Sequence, residues 1–118
     1  MDREFLEELF APFAPIEIKP MFGELGISYR GLMFAGIMDG VLRLKADDET
    51  KADFELEGMK PWQYTYKSGK KVVVGYWQVP EYLLDDPTEF RPWAEKAFQS
   101  AMRSDAAKPA SKRKLEQF

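Results

Sequence analysis

The sequence predicts a two-layer α+β domain in which helices cover one side of an antiparallel sheet. Between Met21 and Lys45, apolar and polar residues follow the strand period around two short turns. Helix signals occur near both ends of the chain. A third helix is indicated in the middle of the chain by an acidic cap and a glycine stop. The predicted order of elements is α-β(3)-α-β(2)-α.

The first helix is predicted over residues 2–11. Asp2 can cap it, and its apolar side chains share one face. Pro12 and Pro15 end it, because proline removes a backbone donor and clashes with the preceding turn. Residues 16–19 form either an extended connection or a brief edge strand.

Three strands follow as a meander, with turns at residues 30–31 and 39–40. The Asp-Gly pair of the second turn lies between apolar runs and favours a type I′ turn, which needs two positive φ angles. Residues 32–38 are almost all apolar, which predicts a central strand covered on both faces.

The second half of the chain is predicted to contain a helix, a hairpin and a last helix, and no internal repeat is recognisable. Asp47-Asp48-Glu49 and Gly58 bracket a second helix, and residues 62–79 are predicted to form an aromatic, β-branched hairpin. Asp86-Pro87-Thr88-Glu89 predicts the start of a last helix. Its apolar stripe ends near residue 103, so we predict one domain over 1–103 and a basic, disordered tail over 104–118.

Composition limits the function. The 118 residues include neither Cys nor His, which removes thiolate chemistry, Cys-ligated metals and the commonest general base. The formal net charge of −3 gives no overall attraction to nucleic acid or to an anionic membrane. No signal peptide or membrane-spanning segment is recognisable, so we predict a cytoplasmic protein. Because the commonest catalytic residue types are missing, we also predict that the protein is not an enzyme and needs no cofactor.

Two groups of residues are candidates for contacts with partners. Aromatic residues make up 14% of the chain, which leaves two readings open: an unusually aromatic core, or an interface with a protein partner or a second copy. The candidate interface residues are Phe22, Trp62 and Trp77. Cations at a hairpin tip and in the tail could instead bind nucleic acid weakly. They are Lys67, Lys70, Lys71, Lys112, Arg113 and Lys114.

Clustered carboxylates at residues 47–49 could be read as a magnesium site, because hard cations take oxygen ligands. A helix N-terminus requires the same residue types, and we favour that interpretation. No metal site is predicted.

An ordered set of short motifs extends over residues 2–103 and resembles the TfoX N-terminal domain of the TfoX/Sxy competence regulators. These motifs are Met21-Phe22-Gly23, Gly26-Ile27, Gly31-Leu32-Met33-Phe34-Ala35, Asp39-Gly40, Leu42-Arg43-Leu44-Lys45, Tyr76-Trp77-Gln78-Val79-Pro80, Leu84-Asp85-Asp86-Pro87 and Trp93-Ala94. The resemblance implies the same α-β(3)-α-β(2)-α fold and a regulatory role linked to DNA-uptake genes in bacteria. It implies no catalytic residue. Glu24 differs from the glycine that the family pattern leads us to expect.

Overall fold

A computed structural model describes residues 1–21 and 23–115, without the side chains of residues 72–74. Over these residues the chain forms a six-stranded antiparallel sheet and three α-helices, which confirms the predicted α+β class. The strands are β1 (Glu17–Met21), β2 (Glu24–Tyr29), β3 (Leu32–Met38), β4 (Val41–Lys45), β5 (Pro61–Thr65) and β6 (Lys71–Gln78). The helices are α1 (Arg3–Phe10), α2 (Lys51–Leu56) and α3 (Pro87–Ala106), with short 3₁₀ helices at Glu81–Asp85 and Ala110–Lys112.

The strands lie in the order β1-β2-β3-β4-β6-β5, so β1 and β5 form the two edges of the sheet. Glu17–Met21 pairs with β2 as a strand. Of the two predictions for residues 16–19, an extended connection or a brief edge strand, the structure therefore has the edge strand. The predicted three-stranded meander therefore has four strands. Pro20 is accommodated within β1 because an edge strand has one side on which no donor is needed.

Both predicted hairpin turns are present. The φ angles are 51° at Arg30, 78° at Gly31, 55° at Asp39 and 74° at Gly40, the left-handed values that a type I′ turn requires. At the second turn, the Glu24 carboxylate accepts hydrogen bonds from the backbone N–H groups of Asp39, at 2.8 Å, and Gly40, at 2.7 Å. The residue that departs from the family pattern thus holds this turn in place.

The core lies between the sheet and the helices. Strand pairing aligns Ile27, Ala35, Leu44 and Trp77 in one row across the sheet, and all four are buried. A bulge in the pairing of β2 with β3 skips Phe34, which is fully buried and packs edge-on against Phe10 of α1. α3 packs across β3 and β4, and α1 packs against α3.

The helix starts follow the predicted caps at the two ends of the chain. Asp2 accepts from the N–H of Phe5 at 2.8 Å, and Asp86 accepts from the N–H of Glu89 at 3.1 Å. The middle helix differs, because it begins only at Lys51. The acidic residues before it form a turn instead of the cap.

The structure differs from the prediction that the chain loses its structure after residue 103. α3 continues to Ala106, and the following segment folds back. The buried carboxylate of Asp105 accepts from the backbone N–H groups of Lys114, at 2.8 Å, and Leu115, at 3.0 Å. Leu115 packs against the core, so the segment through this residue is docked on the domain.

Asp47 joins the turn before α2 to the end of α3. Its carboxylate accepts from Arg103 Nε at 2.7 Å and from Arg103 Nη2 at 3.0 Å, and this bonding lowers the pKa of Asp47 from its ordinary value of 3.8. A carboxyl group whose folded-state pKa is depressed stabilises the fold above its unfolded-state pKa. That contribution is lost as the pH falls through the lower, folded-state value.

We therefore expect the urea midpoint of the wild type to fall as the pH is lowered from about 5 to about 2, and to fall less in Asp47→Asn. Asp48→Asn is the matched control, because the Asp48 side chain is 96% exposed and forms only a surface ion pair with Lys51. Equal acid sensitivity in Asp47→Asn and the wild type would contradict the role assigned to this ion pair.

Candidate interaction surfaces

The sheet face opposite the core carries a different set of side chains. Strand pairing aligns Gly26, Gly36, Arg43 and Gln78 in one row of this face, and Lys45 with Tyr76 in the next. Because successive side chains of a strand point to opposite faces, these residues lie away from the helices. We call this surface the helix-free face.

Methionine side chains cover the two glycines of this face. The Sδ atoms of Met21 and Met33 lie about where a side chain on Gly26 would make contact, 3.5 Å and 3.4 Å from the position of a Cβ atom there. The methyl groups of Met33 and Met38 lie 3.4 Å and 3.2 Å from the position of a Cβ atom on Gly36. Thioether side chains are flexible and polarizable, and they adapt to irregular contacts. The helix-free face is therefore apolar at its centre, with cations beside it.

Lys45 and Tyr76 form a pair at one side of this face, where Lys45 Nζ lies 5.1 Å from the centre of the Tyr76 ring. Burial, together with the charge of Lys108, lowers the pKa of Lys45. Burial raises the pKa of Tyr76 to about 12, so its phenol is a neutral donor at neutral pH. Among the described residues, no ion pair includes Lys45.

β5 and β6 extend beyond the end of β4. The pairing of β6 with β4 ends at Tyr76 opposite Lys45, whereas its pairing with β5 continues to Lys71 opposite Thr65. Residues 62–74 therefore form a two-stranded extension of the sheet, which we call the β arm.

One face of the β arm carries a row of aromatic rings. Trp62 is half-buried and donates from Nε1 to Asp39 Oδ2 at 2.8 Å. The Trp62 and Tyr64 ring centroids lie 6.0 Å apart, and those of Tyr64 and Tyr66 lie 5.1 Å apart. Tyr64 and Tyr66 are 47% and 50% exposed. The predicted candidate Trp62 thus begins an exposed aromatic row to which the two tyrosines belong.

The other two aromatic candidates do not join this row. Trp77 is only 9% exposed and packs against Phe54 of α2 with a centroid distance of 5.9 Å. Its pairing opposite Leu44 places it on the helix side, in the core, and its role as a partner contact stays a prediction. Phe22 lies outside the described residues.

The predicted nucleic-acid contacts separate into two groups. Lys67, Lys70 and Lys71 are exposed at the tip of the β arm, and Lys71 lies about 16 Å along β6 from Tyr76. The cations of residues 112–114 belong to the docked C-terminal segment instead: Lys112 is exposed, Arg113 Nε donates to the carbonyl of Lys108 at 2.9 Å, and Lys114 lines a groove. The structure does not bring the two groups together, and nucleic-acid contact stays a prediction.

The carboxylates at residues 47–49 form ion pairs with basic side chains of the protein. Asp47 binds Arg103 as described, and Glu49 Oε2 lies 2.7 Å from Arg103 Nε. In residues 1–21 and 23–115, no three acidic side chains are grouped as metal ligands would be. Helices in the described part of the chain are too short or too polar to cross a membrane.

Sequence reasoning did not select Lys45, Tyr76 or Lys108 as site residues. Lys45 carries a usable signal, since it alternates with Leu44 and therefore had to face away from the core. The positions of Tyr76 and Lys108 depend on long-range pairing and on the docked C-terminal segment, which no local pattern indicates.

A six-stranded antiparallel sheet with helices packed on one face and a partly cationic, helix-free face on the other defines a two-layer α+β domain. The chain belongs to the TfoX N-terminal domain family, whose family model matches residues 8–101. This confirms the resemblance carried by its motifs. No curated protein matches the chain.

Proposed function

We propose that this protein is a non-catalytic regulatory module of the TfoX N-terminal type that works through protein contacts, and that it assembles with a second copy along β5. Family membership supports a regulatory domain. A link to competence-gene regulation and a cytoplasmic location belong to the same proposal, and they rest on what the family resemblance implies.

The outer edge of β5 is the observation that carries the proposal. No strand of the described residues pairs with this edge, whose N–H and C=O groups can therefore pair with another chain. Natural edge strands are protected by charges, prolines or bulges. β1 follows this rule with Glu17, Lys19 and Pro20, whereas β5 has no charge and has its proline and bulge only at its beginning, at Pro61.

A second copy is the partner that the charges of the β arm favour. In an antiparallel two-fold pairing centred on Gln63, Lys67 of one copy lies opposite Met59 of the other, two residues from Glu57. In this register the cationic tip of each arm points along the sheet edge toward the acidic end of α2 in the other copy. Opposite charges across an interface favour association in that register. Tyr64 and Tyr66 supply exposed aromatic area beside the paired strands.

The test is a charge-swap pair on exposed positions of β5. With the two-fold axis at Gln63, the Gln63→Lys change lies opposite its own copy and the Thr65→Lys change lies diagonally across from it, so like charges meet, as they also do in Gln63→Glu with Thr65→Glu. By sedimentation equilibrium we expect the wild type to dimerise and each variant alone to be at least about tenfold weaker. An equimolar mixture of the two variants should restore association, because opposite charges then meet.

Gln99→Lys with Thr88→Lys is the matched control, since it makes the same changes at exposed positions of α3. It should dimerise like the wild type. A monomeric wild type at about 100 μM, or a mixture no tighter than its components, would refute assembly through β5.

A further inference from the structure

The C-terminal segment and the helix-free face enclose a groove that no part of the proposed function uses. Two adjoining hollows of about 180 Å³ and about 250 Å³ share Met33 and Lys114 in their walls. Together they reach the range of small-ligand sites, roughly 300–1,000 Å³. We call them the lysine groove, because their lining includes Lys19, Lys45, Lys108 and Lys114.

The positive charge of the lysine groove is only partly compensated. Among the described residues, Asp105 is the one acidic residue in the lining, and both of its oxygens accept backbone N–H groups. Lys108 Nζ lies 4.0 Å from Asp105 Oδ1. Lys19 forms only an exposed ion pair with Glu17, at 3.8 Å. Burial and the charge of Lys108 disfavour the charged form of Lys45, whereas a bound anion would favour it.

Neutral donors and apolar surface complete the lining. The hydroxyl groups of Ser28, Ser104 and Tyr76 can donate hydrogen bonds to an anion. Met33 and Leu32 provide apolar surface beside them. Ammonium and hydroxyl donors around a small hollow suit the three or four acceptor oxygens of a phosphate group.

We propose that the lysine groove binds the phosphate group of a ligand, carried either by a free nucleotide or by the backbone of a single-stranded nucleic acid. The site is independent of dimerisation through β5, because none of its lining residues belongs to that strand. The folded-back C-terminal segment is part of the site, since it supplies Lys108 and Lys114.

Isothermal titration calorimetry at low salt tests the proposal with three probes: inorganic pyrophosphate, adenosine monophosphate and a short oligothymidylate. Lys45→Met and Lys108→Met remove an ammonium group while keeping an unbranched apolar stem. Each is expected to weaken binding about tenfold or more. Lys70→Met, at the exposed tip of the β arm, removes the same charge outside the groove and should change binding less than about twofold.

The three probes distinguish a free nucleotide from a nucleic-acid backbone as the carrier of the phosphate group. Tighter binding of the oligothymidylate than of the mononucleotide, with the same loss in Lys45→Met, assigns a nucleic-acid backbone. The opposite order assigns a free nucleotide. Lys108 is exposed, so Lys108→Met keeps the test valid if Lys45→Met fails to fold. No saturable binding of any probe, or equal losses in Lys70→Met and the groove variants, would overturn the proposal.

Discussion

Replacing Phe34 with alanine is expected to remove about 3–5 kcal/mol from the free energy of unfolding. Phe34 is fully buried, and its ring lies 5.6 Å from Phe10, 5.3 Å from Phe13 and 5.6 Å from Phe98 by centroid distance. It thereby joins the sheet to α1, to α3 and to the segment after α1. Truncation leaves a cavity at this junction, and the lost contacts add to the lost burial.

Urea unfolding followed by circular dichroism measures this loss. Total stabilities of single domains are about 5–15 kcal/mol, so the variant should approach the limit of folding. Leu56→Ala in α2 is the control: Leu56 is 87% exposed, and its loss should change stability by less than about 0.5 kcal/mol. A loss below about 1 kcal/mol in Phe34→Ala would show that the aromatic cluster is not the centre of the core.

The second large effect is expected at Gly36, on the helix-free face. A Cβ atom at this position would lie 3.0 Å from the carbonyl oxygen of Leu25 and 3.2 Å from the Met38 methyl group. The methyl group can move, but the backbone oxygen belongs to the neighbouring strand. We expect Gly36→Ala to destabilise the protein by about 1–3 kcal/mol, because the strands must separate locally.

Gly26→Ala provides a matched comparison, since Gly26 pairs directly with Gly36 on the same face. The nearest described atoms to a Cβ atom there belong to the flexible Met33 and Met21 side chains, at 3.4 Å or more. The substitution should be neutral or stabilise by about 0.4–1 kcal/mol through the unfolded chain. Equal effects of the two substitutions in urea unfolding would contradict the close approach at Gly36.

Features determined by local chemistry could be predicted from the sequence. The turn at residues 39–40 follows from an Asp-Gly pair that tolerates positive φ, and α3 follows from the cap and proline at its start. The class of fold and the family also depend on such local signals, in their order along the chain.

Features that depend on long-range contacts could not be predicted. The aromatic pattern of β6 indicates a strand, but only its pairing with β4 places Trp77 in the core. The sequence after residue 103 has no apolar periodicity, and its docking uses long-range contacts, among them hydrogen bonds from the N–H groups of Lys114 and Leu115 to the Asp105 carboxylate. The lysine groove forms because this segment docks on the sheet, so local sequence patterns could not predict its residues as a group.

Disulfide cross-linking of single-cysteine variants would test assembly along β5 most directly. The protein has no cysteine, so one introduced thiol can pair only with its copy in a second molecule. We would place cysteine in turn at positions 62–65 of β5 and, as a control, at Lys19 on the opposite edge of the sheet. A disulfide needs Cα atoms about 4.4–6.8 Å apart, which an antiparallel pair provides near its two-fold axis.

The proposed assembly predicts rapid cross-linking at one or two neighbouring positions of β5 and none at position 19. Slow cross-linking at every position, or equal rates on the two edges, would contradict the central claim that β5 receives a second copy of the chain.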